Sequence, residues 1–562
     1  MDAKSPSKVK LSIMGFTQYK RLLKTSTIIL VAVLLLVGVY FAFNPGKGGS
    51  VIKGSYFVVV MDCGSTGTRV NVYKWMVGGV SNMHLPLLLH SYPDNVSKSS
   101  LWKNSCQYHC MQTEPGLDKF VRNSSGVRAS LEPLLIWAEQ VVPREKQGDT
   151  PIFVLGTAGL RRLAFENARR VFEDVETVLK EHMFLYRKSW IRVLSGKEEA
   201  YYGWVALNYK MGSFKNYSRS PTLGLIDLGG SSLQVVMEID DARKGIDLVT
   251  SKIGSMEHRI LAYSLPAFGL NEAFDRSVAT LIQAQWSGKN TGNTLEVRHP
   301  CLGSDFVQNF TCSGCLGLNA TNQKILSSQI WRAEVPILYL VGDPNWERCK
   351  ELARTAAIIS SNLDWSRPAD GTNCKASSSS YGGSDNINLT AVTCLSTRFH
   401  ALSGFFAVHN TLNLSPRANL TKIWEEGQQL CSRSWANLSS ISRNQNYARQ
   451  YCFRVPYMAS LIEDALCLGD KEIVFGPGDV SWTLGAALIE GKQLLLRATK
   501  AQASISTLKN MVMSSPVVLF VLLLCLLFII YHFQIKLPMP SMKAAAAGVS
   551  LPSYTHPKRR PN

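Results

Sequence analysis

Two short stretches of the chain share one layout, and this repetition constrains the fold more than any other feature. In the first, the apolar run VVVM ends at Asp62, a polar turn CGSTG follows, and an alternating run returns. In the second, the run GLI ends at Asp227 and is followed by LGGSS and the run LQVVMEI. An apolar run, a Gly-rich turn and a returning run predict an antiparallel hairpin. Two such hairpins predict two related α/β lobes, each of which contributes its loop to a shared cleft.

The residues around the two aspartates favour a site for phosphate. A carboxylate at the end of an apolar strand requires a cation, a hydrogen-bond donor or water. Gly-rich turns can point successive backbone N–H groups into one concavity that binds anionic oxygens. Because aspartates repel phosphates, the arrangement predicts a divalent cation, Ca²⁺ or Mg²⁺, that Asp62 and Asp227 hold through water. The loop residues predicted to bind phosphate are Gly64, Ser65, Thr66, Gly67, Thr68, Gly229, Gly230, Ser231 and Ser232.

Strand-like and helix-like runs alternate between the two hairpins. The run PIFVLG, 151–156, predicts a buried strand, and a helical stretch from Arg161 towards Glu181 follows it. The run WIRVLSG, 190–196, predicts another strand before a second helix. Such alternation is typical of an α/β fold with mixed sheets. The polar run SSSYGGSD, 378–385, predicts an exposed loop.

The second helix begins with a sequence that carries one unexplained carboxylate. Ser195 and Glu198 form an S-x-x-E pattern, which predicts a capping box at the start of the helix. The box does not account for Glu199, which could accept a proton from a water beside a phosphate site. The alternative is a solvated Glu that the helix dipole stabilises. The residues predicted to share one face of this helix are Tyr201, Trp204, Val205 and Asn208.

The net charge of +19 is concentrated at the two ends of the chain. The segment before residue 25 has six basic residues against one acid, and 534–562 has five basic residues and no acid. These tails carry ten of the nineteen charges, and the remainder is spread over the rest of the 562 residues. A nucleic-acid partner is therefore disfavoured.

Each basic tail adjoins an apolar run, at 28–43 and 516–533, near the lower length limit for a membrane span. The first run could instead be a cleaved signal peptide, although no small-x-small cleavage site is evident. Positive residues favour the cytoplasmic side, so tails 1–27 and 534–562 should both be cytosolic and the intervening segment translocated. We expect a two-pass protein of the Golgi or plasma membrane.

Glycosylation sequons and cysteines agree with translocation. All nine N-x-S/T sequons lie between the two apolar runs, as do twelve of the thirteen cysteines. This distribution is typical of a glycosylated, disulfide-bonded domain in an oxidising compartment. The pair Cys312 and Cys315 could suggest zinc or redox chemistry, but no second CxxC or histidine cluster accompanies it.

Five segments run in order through nearly the whole of the segment predicted to be translocated. They are DCGSTGTR (62–69), GTAGLRRL (156–163), SGKEEAYYGWVALNY (195–209), DLGGSSLQ (227–234) and FGPGDVSWTLGAAL (475–488). Taken in order, they resemble the five conserved regions of the apyrase family, the nucleoside triphosphate diphosphohydrolases, and plant membrane-bound apyrases are the members that the chain resembles.

The resemblance implies the two-lobe fold of the actin, Hsp70 and sugar-kinase group. We expect a first lobe over 53–221, completed by 480–499, and a second lobe over 222–479 that carries disulfides and glycans. Glu199 matches the catalytic Glu of the family. Thr157 matches a hydroxyl near the terminal phosphate, and Gln234 matches a residue that positions the attacking water. Trp482 matches the Trp of the fifth region, although core packing would also account for it.

The first loop departs from the usual family sequence, DAGSSHT. Cys63 stands in place of Ala, which a packed turn tolerates. Gly67 stands in place of His, so a donor near the phosphates is lost and the preference for triphosphates is in doubt. In the fourth region, Ser231 and Leu233 replace the usual Ala and Thr, a milder change.

The prediction is a membrane-anchored hydrolase that removes terminal phosphate from nucleoside tri- and diphosphates with Ca²⁺ or Mg²⁺. One alternative is a luminal nucleoside diphosphatase that prefers UDP and GDP. Another is a surface glycoprotein that binds nucleotides but has lost catalysis, although all the motif carboxylates are present. A sugar-kinase-like transferase would share the two loops, but it would need cytosolic ATP, which the predicted topology denies.

Overall fold

A computed structural model of the 562-residue chain describes eleven segments and three isolated residues (523, 526 and 527). The segments are 55–76, 85–93, 111–214, 222–239, 248–254, 256–285, 294–310, 337–358, 398–417, 419–432 and 450–491. Both basic tails, the run 28–43, nearly all of 516–533, the Cys312–Cys315 pair and the loop 378–385 lie outside these segments. Within them, no helix is both long and apolar enough to cross a bilayer. The elements below all belong to one unit, Val51–Thr499, and the terminal segments form the other.

The described strands are named here in chain order, and they form three sheets. They are β1 (Ser55–Cys63), β2 (Thr68–Met76), β3 (Leu87–Tyr92), β4 (Met111–Thr113), β5 (Ile152–Gly156), β6 (Ile191–Val193), β7 (Gly224–Leu228), β8 (Ser232–Glu238), β9 (Leu248–Ile253), β10 (Met256–Pro266), β11 (Thr294–His299), β12 (Val307–Phe310), β13 (Ile337–Gly342), β14 (Arg398–Ser403) and β15 (Glu472–Phe475).

The two larger sheets have the same topology. The first has the order β3-β2-β1-β5-β6, with β4 also paired to β2, and the second has the order β15-β14-β7-β8-β10-β9. In each, a central hairpin (β1–β2 or β7–β8) is followed by two further strands that run parallel to the first strand of the hairpin. The predicted duplication is therefore present in the fold, since β1, β2, β5 and β6 correspond to β7, β8, β14 and β15.

The described helices follow the same duplication. They are α1 (Ser124–Val141), α2 (Arg144–Gln147), α3 (Ala158–Arg161), α4 (Phe165–Leu179), α5 (Gly196–Met211), α6 (Leu270–Gln285), α7 (Trp346–Ile358), α8 (Gly404–Thr411), α9 (Leu420–Cys431), α10 (Tyr451–Ser460) and α11 (482–491). Helix α5 follows β6, and α11 follows β15, so these two helices occupy equivalent places in the two halves. The strand and helix predicted at 151–156 and 161–181 are confirmed as β5 and α4, which are shorter than predicted.

Three clusters of buried apolar side chains hold the layers together. Along β1, Val59 and Met61 face a cluster formed with α1 and α4, whereas Val58 and Val60 face a central cluster between the two large sheets. A third cluster joins the second sheet to α6, α7 and α10. Because β1 is covered on both faces, it reads as a continuous apolar run rather than an alternating one.

Helix α5 lies in the central layer between the two large sheets. The capping box is confirmed, since Ser195 accepts from the backbone N–H of Glu198 and the Glu198 side chain accepts from the backbone N–H of Ser195. The four residues predicted to share one face are buried, and so are the residues between them. Residues 200–208 are all buried, because α5 packs on β7, β8 and β10 while its other side meets the first sheet and α11.

Two described disulfides, Cys301–Cys349 and Cys431–Cys452, lie in the second half of the chain. The second of these links the end of α9 to the first turn of α10. The prediction that cysteines in the translocated segment form pairs is confirmed for these four residues. Cys63, in the first hairpin, is free and buried.

Replacement of Gly485 by Ala should destabilise the protein, because α11 crosses α5 at this residue. A Cβ at 485 would lie 1.9 Å from the backbone oxygen of Tyr202, so the helices would have to separate. We expect a loss of about 1–3 kcal/mol in the free energy of unfolding, measured by urea denaturation. Gly148→Ala is the matched control, since a Cβ there meets nothing within 4 Å. Equal denaturation midpoints for the two variants would contradict the close crossing.

Candidate functional site

The two hairpin turns have the same geometry. In each, four residues lie between the last pair of the ladder, and the first of them donates its backbone N–H to an oxygen of the last. The distance is 3.0 Å from Gly64 N to Gly67 O and 2.9 Å from Gly229 N to Ser232 O. Identical length and hydrogen bonding give the two turns equivalent shapes.

The turns contact each other across the two halves of the molecule. The Ser231 hydroxyl donates to the Ser65 hydroxyl at 3.0 Å. A Cβ placed on Gly230 would lie 3.3 Å from Cγ2 of Thr66 and 3.5 Å from Oγ of Ser65, so a larger residue at 230 would press on the first turn. The structure therefore brings together the two loops that were predicted to face one cleft.

Asp62 is buried at the end of β1, directly opposite Arg69 on β2. Its Oδ2 accepts from Arg69 Nη1 at 3.3 Å, whereas its Oδ1 is buried and has no hydrogen-bond partner among the described residues. Burial raises the pKa of Asp62, against the lowering effect of Arg69. Arg69 is oriented by Gln112, whose Oε1 accepts from its Nε at 2.9 Å.

Asp227 has the equivalent position on β7, opposite Gln234 on β8. Burial raises its pKa to about 6, and the negative charge of Asp62 adds to this rise. A hydrogen bond with the Ser403 side chain opposes it. Ser403 ends β14 with a φ of 52°, in the left-handed region that non-glycine residues seldom adopt. This backbone conformation accompanies the placement of its hydroxyl against Asp227.

Glu199 lies in the first turn of α5, where its Oε2 accepts from Arg161 Nη1 at 2.8 Å. The same Nη1 also donates to the backbone oxygen of Leu194 at 3.0 Å. Burial raises the pKa of Glu199 to about 7. Arg161 opposes this rise, and the charges of Asp62 and Asp227 contribute to it. The three carboxylates therefore lie close enough to influence one another electrostatically.

The site has features that fit a divalent cation held through water. The orphaned Oδ1 of Asp62 has an unused acceptor in a buried position. Asp227 supplies a second carboxylate nearby, and its charge is felt at Glu199 together with that of Asp62. Among the described residues, no group of three His, Cys, Asp or Glu side chains could hold a metal directly. A cation with two carboxylates, waters and ligand oxygens would match the coordination that Mg²⁺ prefers.

Thr157 and Gln234 border the same region. Thr157 follows β5, is buried, and donates its backbone N–H to Cys63 O at 3.1 Å, which ties it to the first hairpin. Gln234 is buried and donates through Nε2 to the hydroxyls of Ser232 (2.8 Å) and Ser264 (3.3 Å). Thr68, the first residue of β2, is fully buried.

The surroundings of Gly67 leave no room for the His that is usual at this position in the family. A Cβ at 67 would lie 2.5 Å from the backbone oxygen of Thr113 and 2.9 Å from Gln112 Nε2. Strand β4 thus occupies the space that a side chain at 67 would need. The same strand supplies the glutamine that orients Arg69, so a cationic donor is present on the first hairpin although the His is not.

Four residues near the site were not assigned a role there by sequence reasoning: Arg69, Arg161, Ser403 and Glu272. The register of the predicted hairpin places Arg69 opposite Asp62, so this contact could have been predicted from the sequence. The sequence offers no basis to choose between a phosphate contact and a surface position for Arg161, and in the structure Arg161 binds Glu199. Ser403 and Glu272 follow segments with no recognisable motif, and only the fold brings them to the hairpins. Trp482 is buried in the central cluster.

Comparison with known proteins agrees with this arrangement. The model of the GDA1/CD39 (nucleoside phosphatase) family matches residues 52–507. The chain is 35% identical to "Probable apyrase 7" of Arabidopsis thaliana over 88% of this chain, but it spans only 64% of that protein. It is 25% identical to the mouse "Ectonucleoside triphosphate diphosphohydrolase 3", covering 92% of this chain and 93% of the relative.

A solved structure described as nucleoside triphosphate hydrolases from Neospora caninum has the same fold. It superposes with a TM-score of 0.51 at 13% sequence identity, covering 85% of this chain and 98% of that chain. At this identity the likeness bears on the fold alone. The family match, by contrast, extends from the first hairpin to beyond α11, and the predicted resemblance is confirmed. The chain belongs to the GDA1/CD39 (nucleoside phosphatase) family.

Proposed function

We propose that the protein hydrolyses the terminal phosphoanhydride bond of nucleoside tri- and diphosphates, releasing phosphate. The observation that carries this proposal is the position of Glu199, a carboxylate with a pKa of about 7 beside two aspartates at two contacting phosphate-type turns. Membership of a nucleoside phosphatase family and the names of the relatives support the same reaction.

The turns bind the phosphate chain in this proposal. The backbone N–H groups of Ser65, Thr66, Gly230 and Ser231 and the nearby hydroxyls provide donors at fixed positions, and Thr157 adds a hydroxyl near the terminal phosphate. Donors that are held in place before the substrate arrives stabilise charge in the transition state without reorganisation. Phosphoryl transfer depends mainly on such positioning and electrostatics, so no covalent phosphoenzyme is required.

Asp62 and Asp227 are the residues that would hold Ca²⁺ or Mg²⁺ through water. The bound cation would supply positive charge against the phosphate oxygens. Arg69 then limits the repulsion between Asp62 and the substrate, because it pairs with one carboxylate oxygen and leaves the other available.

Glu199 acts as the general base, and Gln234 orients the attacking water. A base is most effective when its pKa is near the working pH, and a pKa of about 7 meets that condition. Arg161 fixes the orientation of the carboxylate through one oxygen. The second oxygen of Glu199 is the one assigned to the water proton.

Glu199→Gln should abolish phosphate release while leaving nucleotide binding intact. Removal of a general base costs about 10²- to 10⁴-fold in rate. The measurement is phosphate release from ATP, ADP, UDP and GDP by the purified full-length protein, with and without a metal chelator. Glu198→Gln is the control, because it makes the same Glu-to-Gln change at the adjacent residue. A glutamine at 198 still completes the capping box.

The outcomes of this assay separate the alternatives. Nucleotide binding without release by the wild type would favour a binding protein that has lost catalysis. Release from UDP and GDP alone would favour a nucleoside diphosphatase. Release that persists in Glu199→Gln, or that a chelator leaves unchanged, would contradict the mechanism.

Arg161→Gln should shift the pH dependence of kcat/KM upwards. Arg161 lowers the pKa of Glu199 by its charge and its hydrogen bond, so its loss lets that pKa rise above about 7. Because the base works only when deprotonated, activity should be lost at a higher pH as the solution is acidified. Arg169→Gln, on the outer face of α4, should leave the acidic limb near that of the wild type. An unchanged limb in Arg161→Gln would exclude Glu199 as the titrating base.

We also propose that the protein spans the membrane twice, with tails 1–27 and 534–562 in the cytosol and the catalytic segment in the Golgi lumen or outside the cell. The apolar runs 28–43 and 516–533 and the basic tails support this topology. Sequon asparagines within the described residues are all exposed, as glycan attachment requires. They are Asn123, Asn309, Asn413 and Asn419.

Changing these four asparagines to Gln together should reduce the size shift that an N-glycosidase produces.

In sealed microsomes, added protease should remove epitope tags from both termini but leave the segment between the apolar runs intact. Protection of either tag would contradict cytosolic termini. Lack of any glycosidase shift in the wild type would contradict translocation.

A further inference from the structure

An ion pair joins the two halves of the molecule beside the contacting turns. Arg162 follows α3, which continues from β5 in the first half, and Glu272 lies in the first turn of α6 in the second half. Arg162 Nη1 binds Glu272 Oε1. The Arg162 side chain is 48% exposed and that of Glu272 is 15% exposed, so the carboxylate is the more enclosed partner. Neither residue belongs to the proposed catalytic set.

The same carboxylate oxygen also binds a hydroxyl of the second turn. Ser231 Oγ donates to Glu272 Oε1 at 3.3 Å, and Ser231 Oγ also lies 3.0 Å from Ser65 Oγ. Arg162, Glu272, Ser231 and Ser65 therefore form one continuous polar chain that crosses between the halves twice. We name these four residues the cross-lobe chain.

Both charges are fixed firmly to the turns. At the start of α6, the backbone N–H groups of Leu270 and Asn271 donate to Gly229 O (3.0 Å) and Gly230 O (2.9 Å). On the other side, α3 packs against the first turn, since a Cβ on Gly159 would lie 2.8 Å from Cα of Ser65. The backbones that carry Arg162 and Glu272 are therefore held in place against the two turns.

Glu272 and a substrate phosphate would compete for the single hydroxyl proton of Ser231. Ser231 has one hydroxyl proton, and Ser65 Oγ (3.0 Å) and Glu272 Oε1 (3.3 Å) are alternative acceptors for it. While either contact persists, that proton is not available to a phosphate oxygen. Arg162 reduces this competition, because it binds the same oxygen of Glu272 and neutralises the charge of that carboxylate.

We propose that the Arg162–Glu272 pair sets the affinity of the site for the phosphate chain, with Arg162 favouring binding and Glu272 opposing it. This inference rests on the proposed function, because it concerns the same phosphate site. Arg162 without Glu272 would place an unpaired cation next to the phosphates and release the Ser231 hydroxyl. Glu272 without Arg162 would place an unpaired anion there. Removal of the two partners should thus have opposite effects on affinity, although either removal breaks the same ion pair.

The test compares Arg162→Gln, Glu272→Gln and the double variant in the purified full-length protein. We expect Arg162→Gln to raise KM for ATP and ADP about three- to tenfold and Glu272→Gln to lower it about two- to fivefold. Values of kcat should change less than twofold, and the double variant should return towards the wild-type KM. Raising the salt concentration to about 0.5 M should reduce these differences, because exposed charges are screened.

A binding measurement keeps this inference separate from the proposed function. Dissociation constants for a non-hydrolysable imido analogue of ATP, measured with Mg²⁺, should follow the KM values in sign. If the wild type binds the analogue and the variants show the opposite shifts, the inference stands even where no phosphate is released. If the wild type releases phosphate but both single variants shift KM in the same direction, the inference fails while the proposed function stands.

The matched control is the exposed pair Arg169–Glu173 on α4, whose Nη1 and Oε1 atoms lie 2.7 Å apart. Arg169→Gln and Glu173→Gln also break an ion pair but lie outside the cross-lobe chain. They should leave KM and the analogue affinity unchanged. A purely structural role for Arg162–Glu272 would lower the unfolding temperature in both single variants without opposite changes in affinity, and that result would overturn the proposal.

Discussion

Three buried carboxylates in mutual electrostatic reach are the constraint on which the rest of the site depends. Burial raises the pKa values of Asp62, Asp227 and Glu199, and each aspartate adds to the rise at Glu199. Concentrated negative charge of this kind is costly to bury unless cations or donors compensate it. Arg69 and Arg161 each reach one carboxylate, but one oxygen of Asp62 keeps no partner among the described residues. A bound cation would neutralise the remaining negative charge. The uncompensated carboxylates therefore favour cation binding at this position.

The duplicated topology supplies two equivalent aspartates, but their partners differ. Opposite Asp62 the second strand of the hairpin carries Arg69, and opposite Asp227 it carries Gln234. In the second half, Ser403 on β14, the parallel neighbour of β7, hydrogen-bonds Asp227. In the first half, the corresponding position on β5 is Gly156, which has no side chain to reach Asp62. Asp62 is therefore paired with a cation, and Asp227 is hydrogen-bonded to a neutral hydroxyl. A duplicated frame thus holds an asymmetric site, and the proposed reaction uses this asymmetry, because it needs one set of groups for the phosphate chain and another for a water.

The sequence predicted the hairpins well because a hairpin is a local structure. Strand period, turn composition and the position of each aspartate are all contained within about twenty residues, and the repeat confirmed their significance. Arg161 and Ser403 were not predicted, because they reach the site through parallel strands that are distant in sequence from the hairpins they contact. Burial of α5 on all sides was also missed. Its sequence indicated which residues share one face, but only the packing of two sheets around the helix explains why polar Asn208 is fully enclosed, with its amide donating to Trp204 O and Leu223 O.

In the proposed function, a phosphate chain that enters the site meets the contact between the two turns. Ser65 and Ser231 satisfy each other by one hydrogen bond, and such a bond contributes a net of about 0.5–1.5 kcal/mol. A phosphate oxygen that replaces it receives charge-assisted hydrogen bonds, which are stronger than those between neutral hydroxyls. The exchange therefore favours the substrate. Glu199 stands on α5, which is packed with α11 in the central apolar cluster, so its position does not depend on the hydrogen bond between the two hydroxyls.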